Sequence, residues 1–72
     1  MIIKATLNAI TIKRTTLTEE QDLLLVEELN KISVYYKFHA YFTDKEIRIT
    51  SDSSTLYYLL YLLARHFDIE LI

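Results

Sequence analysis

The chain has no glycine and no proline among its 72 residues. Average usage would supply about five of the first and about four of the second. Glycine is the residue that takes a positive φ without steric cost, and proline pre-sets the first corner of many turns. Every turn must therefore be built from Asn, Asp, Ser, Thr and Lys. Local hydrogen bonding has to do what backbone freedom does elsewhere. The length allows one domain, residues 1–72. A chain this short buries roughly 60% of the surface it exposes when unfolded, so its stability margin is thin.

Cysteine is absent as well. That removes disulfides, thiolate nucleophiles and thiolate metal sites. The opening "MIIKATLNAI" lacks the charged start, long apolar centre and small-residue cleavage site of a signal peptide. The apolar run 56–64 is about half of the ~20 residues a span needs. The expectation is a cytoplasmic protein with no membrane association. Net charge is −2, from ten acidic and eight basic residues. The signs are segregated: Glu19, Glu20, Asp22, Glu27 and Glu28 share one segment, and Lys4, Lys13, Arg14, Lys37, Lys45 and Arg48 lie in others. A mildly acidic chain gains little non-specific attraction to nucleic acid, although a local basic face remains open to it.

Apolar periodicity supplies the elements. Ile3, Ala5 and Leu7 alternate with Lys4 and Thr6, and the parity then flips to Ile10 and Ile12. Two readings fit. A bulge near Asn8-Ala9 would let one long strand continue with its faces exchanged. A two-residue turn at Asn8-Ala9 would instead set Leu7 opposite Ile10. The bulge is favoured, because Ala resists the left-handed conformation such a turn requires. Thr18 and Gln21 form a capping-box pattern, which predicts a helix over 19–31 with Leu25, Val26, Leu29 and Ile32 inward and Leu24 half exposed. "VYYKFHAYF" alternates: Val34, Tyr36, Phe38, Ala40 and Phe42 on one face, Tyr35, Lys37, His39 and Tyr41 on the other. With "TDKE" as the turn, Phe42 meets Ile47, Ala40 meets Ile49 and Tyr41 meets Arg48, which keeps apolar with apolar. "SDSS" offers N-caps for a second helix over 54–66, and "DIELI" reads as a short last strand with Ile69 and Leu71 inward.

The order β-α-β-β-α-β predicts an α+β, ferredoxin-like two-layer sandwich: a four-stranded antiparallel sheet with two helices on one face. The alternative is ββαββαβ with an N-terminal hairpin.

Catalytic patterns are missing. Without glycine there is no phosphate-binding loop of the P-loop or dinucleotide type. His39 and His66 read as a strand-surface residue and a helix C-terminal residue, the latter favoured by the helix dipole. Adjacent acids such as Glu19/Glu20 and Glu27/Glu28 point apart on a helix and read as a solvated face. Acylphosphatase-like proteins share the architecture but need an Arg in a glycine-containing phosphate loop. The small nucleases of the CRISPR adaptation machinery resemble this fold with an Asp after the first strand, where this chain has Asn8, Lys13 and Arg14. The expectation is no enzyme activity, no metal and no cofactor.

Two surfaces remain. On the second helix, Leu56, Leu59, Leu60, Leu63 and Phe67 recur at helical spacing toward the sheet. Tyr57, Tyr58, Tyr61, Leu62 and Arg65 are left where a monomer would show Lys and Glu, and Tyr and Arg are enriched in interface hot spots. This stripe is the expected partner interface, for a protein partner, a homodimer, or both. The open sheet face would carry Lys4, Tyr35, Lys37, His39, Tyr41 and Arg48, with Thr6, Thr50 and Glu70 beside them. Tyrosines among basic residues suit base stacking and phosphate contact. RNA-recognition motifs use this fold and this face, but place their aromatics on the two central strands, where this chain offers Lys4 and Thr6. The leading expectation is a small non-enzymatic protein–protein interaction module. The alternative is a small RNA- or single-stranded nucleic-acid-binding domain. In general character the chain resembles compact accessory proteins of phages and mobile elements, including anti-CRISPR-type inhibitors, which act by protein–protein contact.

Overall fold

A computed structural model describes all residues, 1–72, in the order β1 (Ile2–Ala5), β2 (Ala9–Lys13), a single 3₁₀ turn (Arg14–Thr16), α1 (Glu19–Ser33), β3 (His39–Phe42), β4 (Glu46–Thr50), α2 (Ser53–His66) and β5 (Glu70–Leu71). The sheet has five strands in the order β3-β4-β2-β1-β5. It is mixed: β1 and β5 run parallel, and every other neighbouring pair is antiparallel. This corrects the expected four-stranded antiparallel sheet; the observed element order is the alternative, ββαββαβ with an N-terminal hairpin.

The difference comes from one hairpin. β1 and β2 pair with Ile3 opposite Ile12 and Ala5 opposite Ile10. The turn is therefore Leu7-Asn8, neither a bulge nor a turn at Asn8-Ala9. The crossover through α2 returns the chain in the direction of β4. β2 opposes that direction and β1 restores it, so β5 can join the far edge only in parallel with β1. In a ferredoxin-like sandwich the last strand would lie against the strand equivalent to β2. Here β1 occupies that place.

No residue has a positive φ, so the turns solve the glycine problem without glycine. Both hairpins use the same device. Thr6 N donates to Ala9 O (2.8 Å), while Thr6 Oγ1 accepts from Ala9 N (3.1 Å). Thr43 N donates to Glu46 O (2.9 Å), while Thr43 Oγ1 accepts from Glu46 N (3.0 Å). A threonine hydroxyl stands in for the backbone carbonyl in closing each loop, as in other Ser/Thr side-chain turns.

Ile3, Ile10, Ile12, Ile47 and Ile49 from one face of the sheet join Leu25, Leu29 and Ile32 of α1 and Leu56, Leu59 and Leu63 of α2 in one buried cluster. Both helices therefore lie on the same face. Val26, Leu60 and Phe67, expected inward, are half-buried. Leu24 is partly exposed, in line with the expectation. The capping box forms: Gln21 N donates to Thr18 Oγ1 and Thr18 N donates to Gln21 Oε1. Asp52 caps α2 by accepting from Thr55 N at 2.7 Å. The β3–β4 register is the one the alternation predicts.

β3 itself is shorter than the alternation implies. α1 continues to Ser33, and Tyr35 N and Tyr36 N both donate to Ile32 O as the helix closes. Those donors are consumed before a strand could use them. Val34 and Tyr36, expected inward, are exposed, and Leu71, also expected inward, is largely exposed. Tyr35 and Lys37 lie in the α1–β3 connection and not on the sheet face.

Candidate functional site

α2 shows exposed aromatic surface beyond the stripe it buries. Its buried stripe leaves Tyr57, Tyr58, Tyr61 and Arg65 on the remaining surface, at 80%, 39% and 55% exposure for the three tyrosines. Leu62 is half-buried against the core. The expected interface residues thus divide. Leu62 and part of Tyr58 are claimed by the protein's own packing, while Tyr57, Tyr61 and Arg65 remain open.

Tyr58, Tyr61 and Arg65 continue a row of side chains that begins at Tyr36 and leaves Tyr57 outside it. Tyr36, in the turn that follows α1, lies against Tyr58 with ring centroids 4.8 Å apart and planes inclined by 39°. Tyr58 lies 6.3 Å from Tyr61. The Arg65 guanidinium carbon sits 5.8 Å from the Tyr61 ring centre, within cation–π range. The Tyr36 phenol is raised above its ordinary pKa, first by the neighbouring Tyr58 hydroxyl, then by burial and by the Tyr58 charge. Tyr36 was read as a core strand residue and so was missed as part of this ridge. The signal for it was present: Leu25, Leu29, Ile32 and Tyr36 continue a helical spacing of four, three and four.

Beside the ridge, a cleft of about 360 Å³ runs between the two helices, with Leu17, Gln21, Leu24, Arg65 and Phe67 among its walls. α2 carries no acid, and Arg65 and His66 occupy its last turn. On α1, Glu20 and Glu27 are exposed and Glu28 lies 3.7 Å from Lys31 Nζ.

The opposite face of the sheet brings together four of the six residues expected there. Tyr41, Arg48, Thr11 and Lys4 form one row across β3, β4, β2 and β1. His39 follows in the next row with Thr50. Lys13 and Glu46 face one another in another row, and Glu70 stands beside Ile2. The surface is mixed in sign.

One ion pair is well made. Arg14 donates through Nε and Nη2 to the two carboxylate oxygens of Asp22 at 2.9 and 2.7 Å, and through Nη1 to Thr43 O at 2.9 Å. It ties the start of α1 to the β3–β4 turn. His39 and His66 are both exposed on separate elements, and no three His, Asp or Glu side chains converge as a metal cage would require. No helix is long and apolar enough to cross a membrane.

No protein-family model, curated protein or solved structure matches this chain.

Proposed function

We propose that this protein is a small non-enzymatic interaction module that docks a protein partner on the Tyr36–Tyr58–Tyr61–Arg65 ridge, with Tyr57 at its margin. The carrying observation is the ridge itself: three neighbouring tyrosine rings, mutually tilted, and a guanidinium on a surface that a monomer would ordinarily keep charged. Tyrosines offer large contact area for little lost conformational entropy. A matching partner surface is apolar with a carboxylate for Arg65. The small size and lack of catalytic motifs fit an accessory or inhibitor role, as in phage and mobile-element proteins. Tyr61→Glu places a charge at the centre of the ridge, where docking would desolvate it. It should weaken the complex by about 2 kcal/mol or more and leave the circular dichroism spectrum unchanged. Complex formation unaffected by Tyr61→Glu would exclude the ridge.

The Tyr41–Arg48–Thr11–Lys4 row supports a second reading, single-stranded nucleic acid on the open sheet. Binding of that kind should fall steeply with salt and weaken in Tyr41→Ala whatever the sequence. No binding of homopolymer strands at low salt would remove this reading.

A further inference from the structure

We propose that the free edge of β3 pairs antiparallel with β3 of a second copy of this chain, about a two-fold axis at Ala40. The hydrogen-bond phase of the strand fixes what its edge offers. Thr43 N bonds Glu46 O, and bonded pairs alternate along an antiparallel ladder. His39 and Tyr41 therefore spend their backbone groups on β4. Ala40 and Phe42, with Phe38 just before the strand, direct theirs to the open edge. Natural edges are usually blunted by Pro, Lys, a bulge or a very short strand. β3 has four residues, His-Ala-Tyr-Phe, with none of these devices. The other sheet edge, β5, has only two residues.

The occupant follows from self-complementarity. A two-fold axis normal to the sheet keeps both helix layers on one side, and pairs Ala40 with Ala40. Phe38 then faces Phe42 of the second copy on the helix side. His39 faces Tyr41 on the open side, and Lys37 falls opposite Thr43, so no like charges are opposed. The neighbouring helix agrees. Arg14 joins Asp22 to Thr43 O, and Ser33 shares a cleft with Phe38 and His39, so α1 runs alongside β3. Between Asp22 and Ser33 that flank carries Val26 and Asn30. The helix charges Glu20, Glu27 and Lys31 lie on its other sides. Glu19 and Asp22 stand together at the start of α1, which the two-fold sets opposite the end of the second, antiparallel α1, so like charges are kept apart.

Light scattering on the full chain tests this, with a mass of twice 8.6 kDa expected. Ala40→Pro removes a donor aimed at the open edge and spares the β4 ladder. Phe42→Lys installs the lysine that natural edges use. Each should raise the dimer dissociation constant at least about tenfold with an unchanged circular dichroism spectrum, while Tyr61→Glu should remain dimeric. If Ala40→Pro fails to fold, Phe42→Lys decides. A wild-type monomer at the highest soluble concentration would overturn the proposal and leave the edge to an extended segment of another protein. A dimer that survives Phe42→Lys, or dissolves in Tyr61→Glu, would overturn it too.

Discussion

Asp22 and Tyr36 are held away from their ordinary proton affinities in opposite directions, and each makes stability depend on pH. Hydrogen bonding from Arg14 lowers the Asp22 pKa from 3.8, against a smaller opposing effect of burial, and the Arg14 charge adds to the lowering. Asp52 is lowered chiefly by the backbone N–H of Thr55. A depressed folded-state pKa contributes stability that is present above the unfolded value and lost as pH falls through the folded one. Asp22→Asn should therefore melt below wild type at neutral pH, and the gap in Tm should narrow as pH falls below the ordinary carboxylate range. A gap constant across that range would mean that Asp22 acts by packing and not by charge. The raised Tyr36 phenol works the other way. Its contribution is present below the ordinary tyrosine range and fades as pH rises through the folded value. Ultraviolet difference titration should find one late-ionising tyrosine, lost in Tyr36→Phe and shifted down in Tyr58→Phe. No change in Tyr58→Phe would show that the two hydroxyls are independent.

At the scale of elements, the two hairpin turns rest on threonine. Thr6→Val keeps the shape but leaves Ala9 N without its acceptor, at a cost of about 1 kcal/mol, or a Tm loss of about 4–8 °C in a domain of this size. Thr43→Val should cost a similar amount. Thermal melts that leave Tm unmoved would mean that water replaces the hydroxyl. These turns also explain what the sequence could and could not show. The β3–β4 hairpin was legible because alternation and loop length agreed on one register. The first hairpin was legible only as an alternative to a bulged strand, with its turn one residue late, because Asn8 suits a positive φ and no residue here uses one. The legible sign was the Thr-x-x spacing, shared by Thr6/Ala9 and Thr43/Glu46. Residues 34–37 were ambiguous for another reason. Period two and the α1 stripe both account for Tyr36, and the helix wins because its last turn takes up the backbone donors. That exchange moved Tyr35 and Lys37 off the sheet face and put Tyr36 onto the tyrosine ridge. The ridge residues of α2 were readable, since a helix with tyrosines on its outer side is a feature of sequence alone.

At the scale of the molecule, stability should be graded from the middle of the sheet outward. β2 lies between β4 and β1, and its Ile10 and Ile12 are fully buried beneath both helices. β5 hangs on the far edge by a two-residue parallel pairing, with Leu71 and Ile72 largely exposed. Opening it exposes little apolar surface and breaks few hydrogen bonds, so it should need far less free energy than global unfolding. β3 is tied more firmly. Ser51 Oγ donates to Lys37 O at its start, and Arg14 holds Thr43 O at its end. Native-state hydrogen exchange should therefore be slowest at Ile10, Ile12, Ile47 and Ile49 among residues whose amides are bonded. Among these bonded amides it should be fastest at Glu70, with those of His39 and Tyr41, which β3 bonds to β4, between them. Leu59→Ala, at the centre of the α2 stripe, should lower global stability by about 2–5 kcal/mol. It should depress protection of β2 and β4 amides while leaving Glu70 unchanged, because Glu70 exchanges through a local opening that the core substitution does not affect. Equal loss of protection at Glu70 and Ile12 would show that β5 is part of the cooperative core. The mixed edge created by the N-terminal hairpin would then carry more stability than its two residues imply.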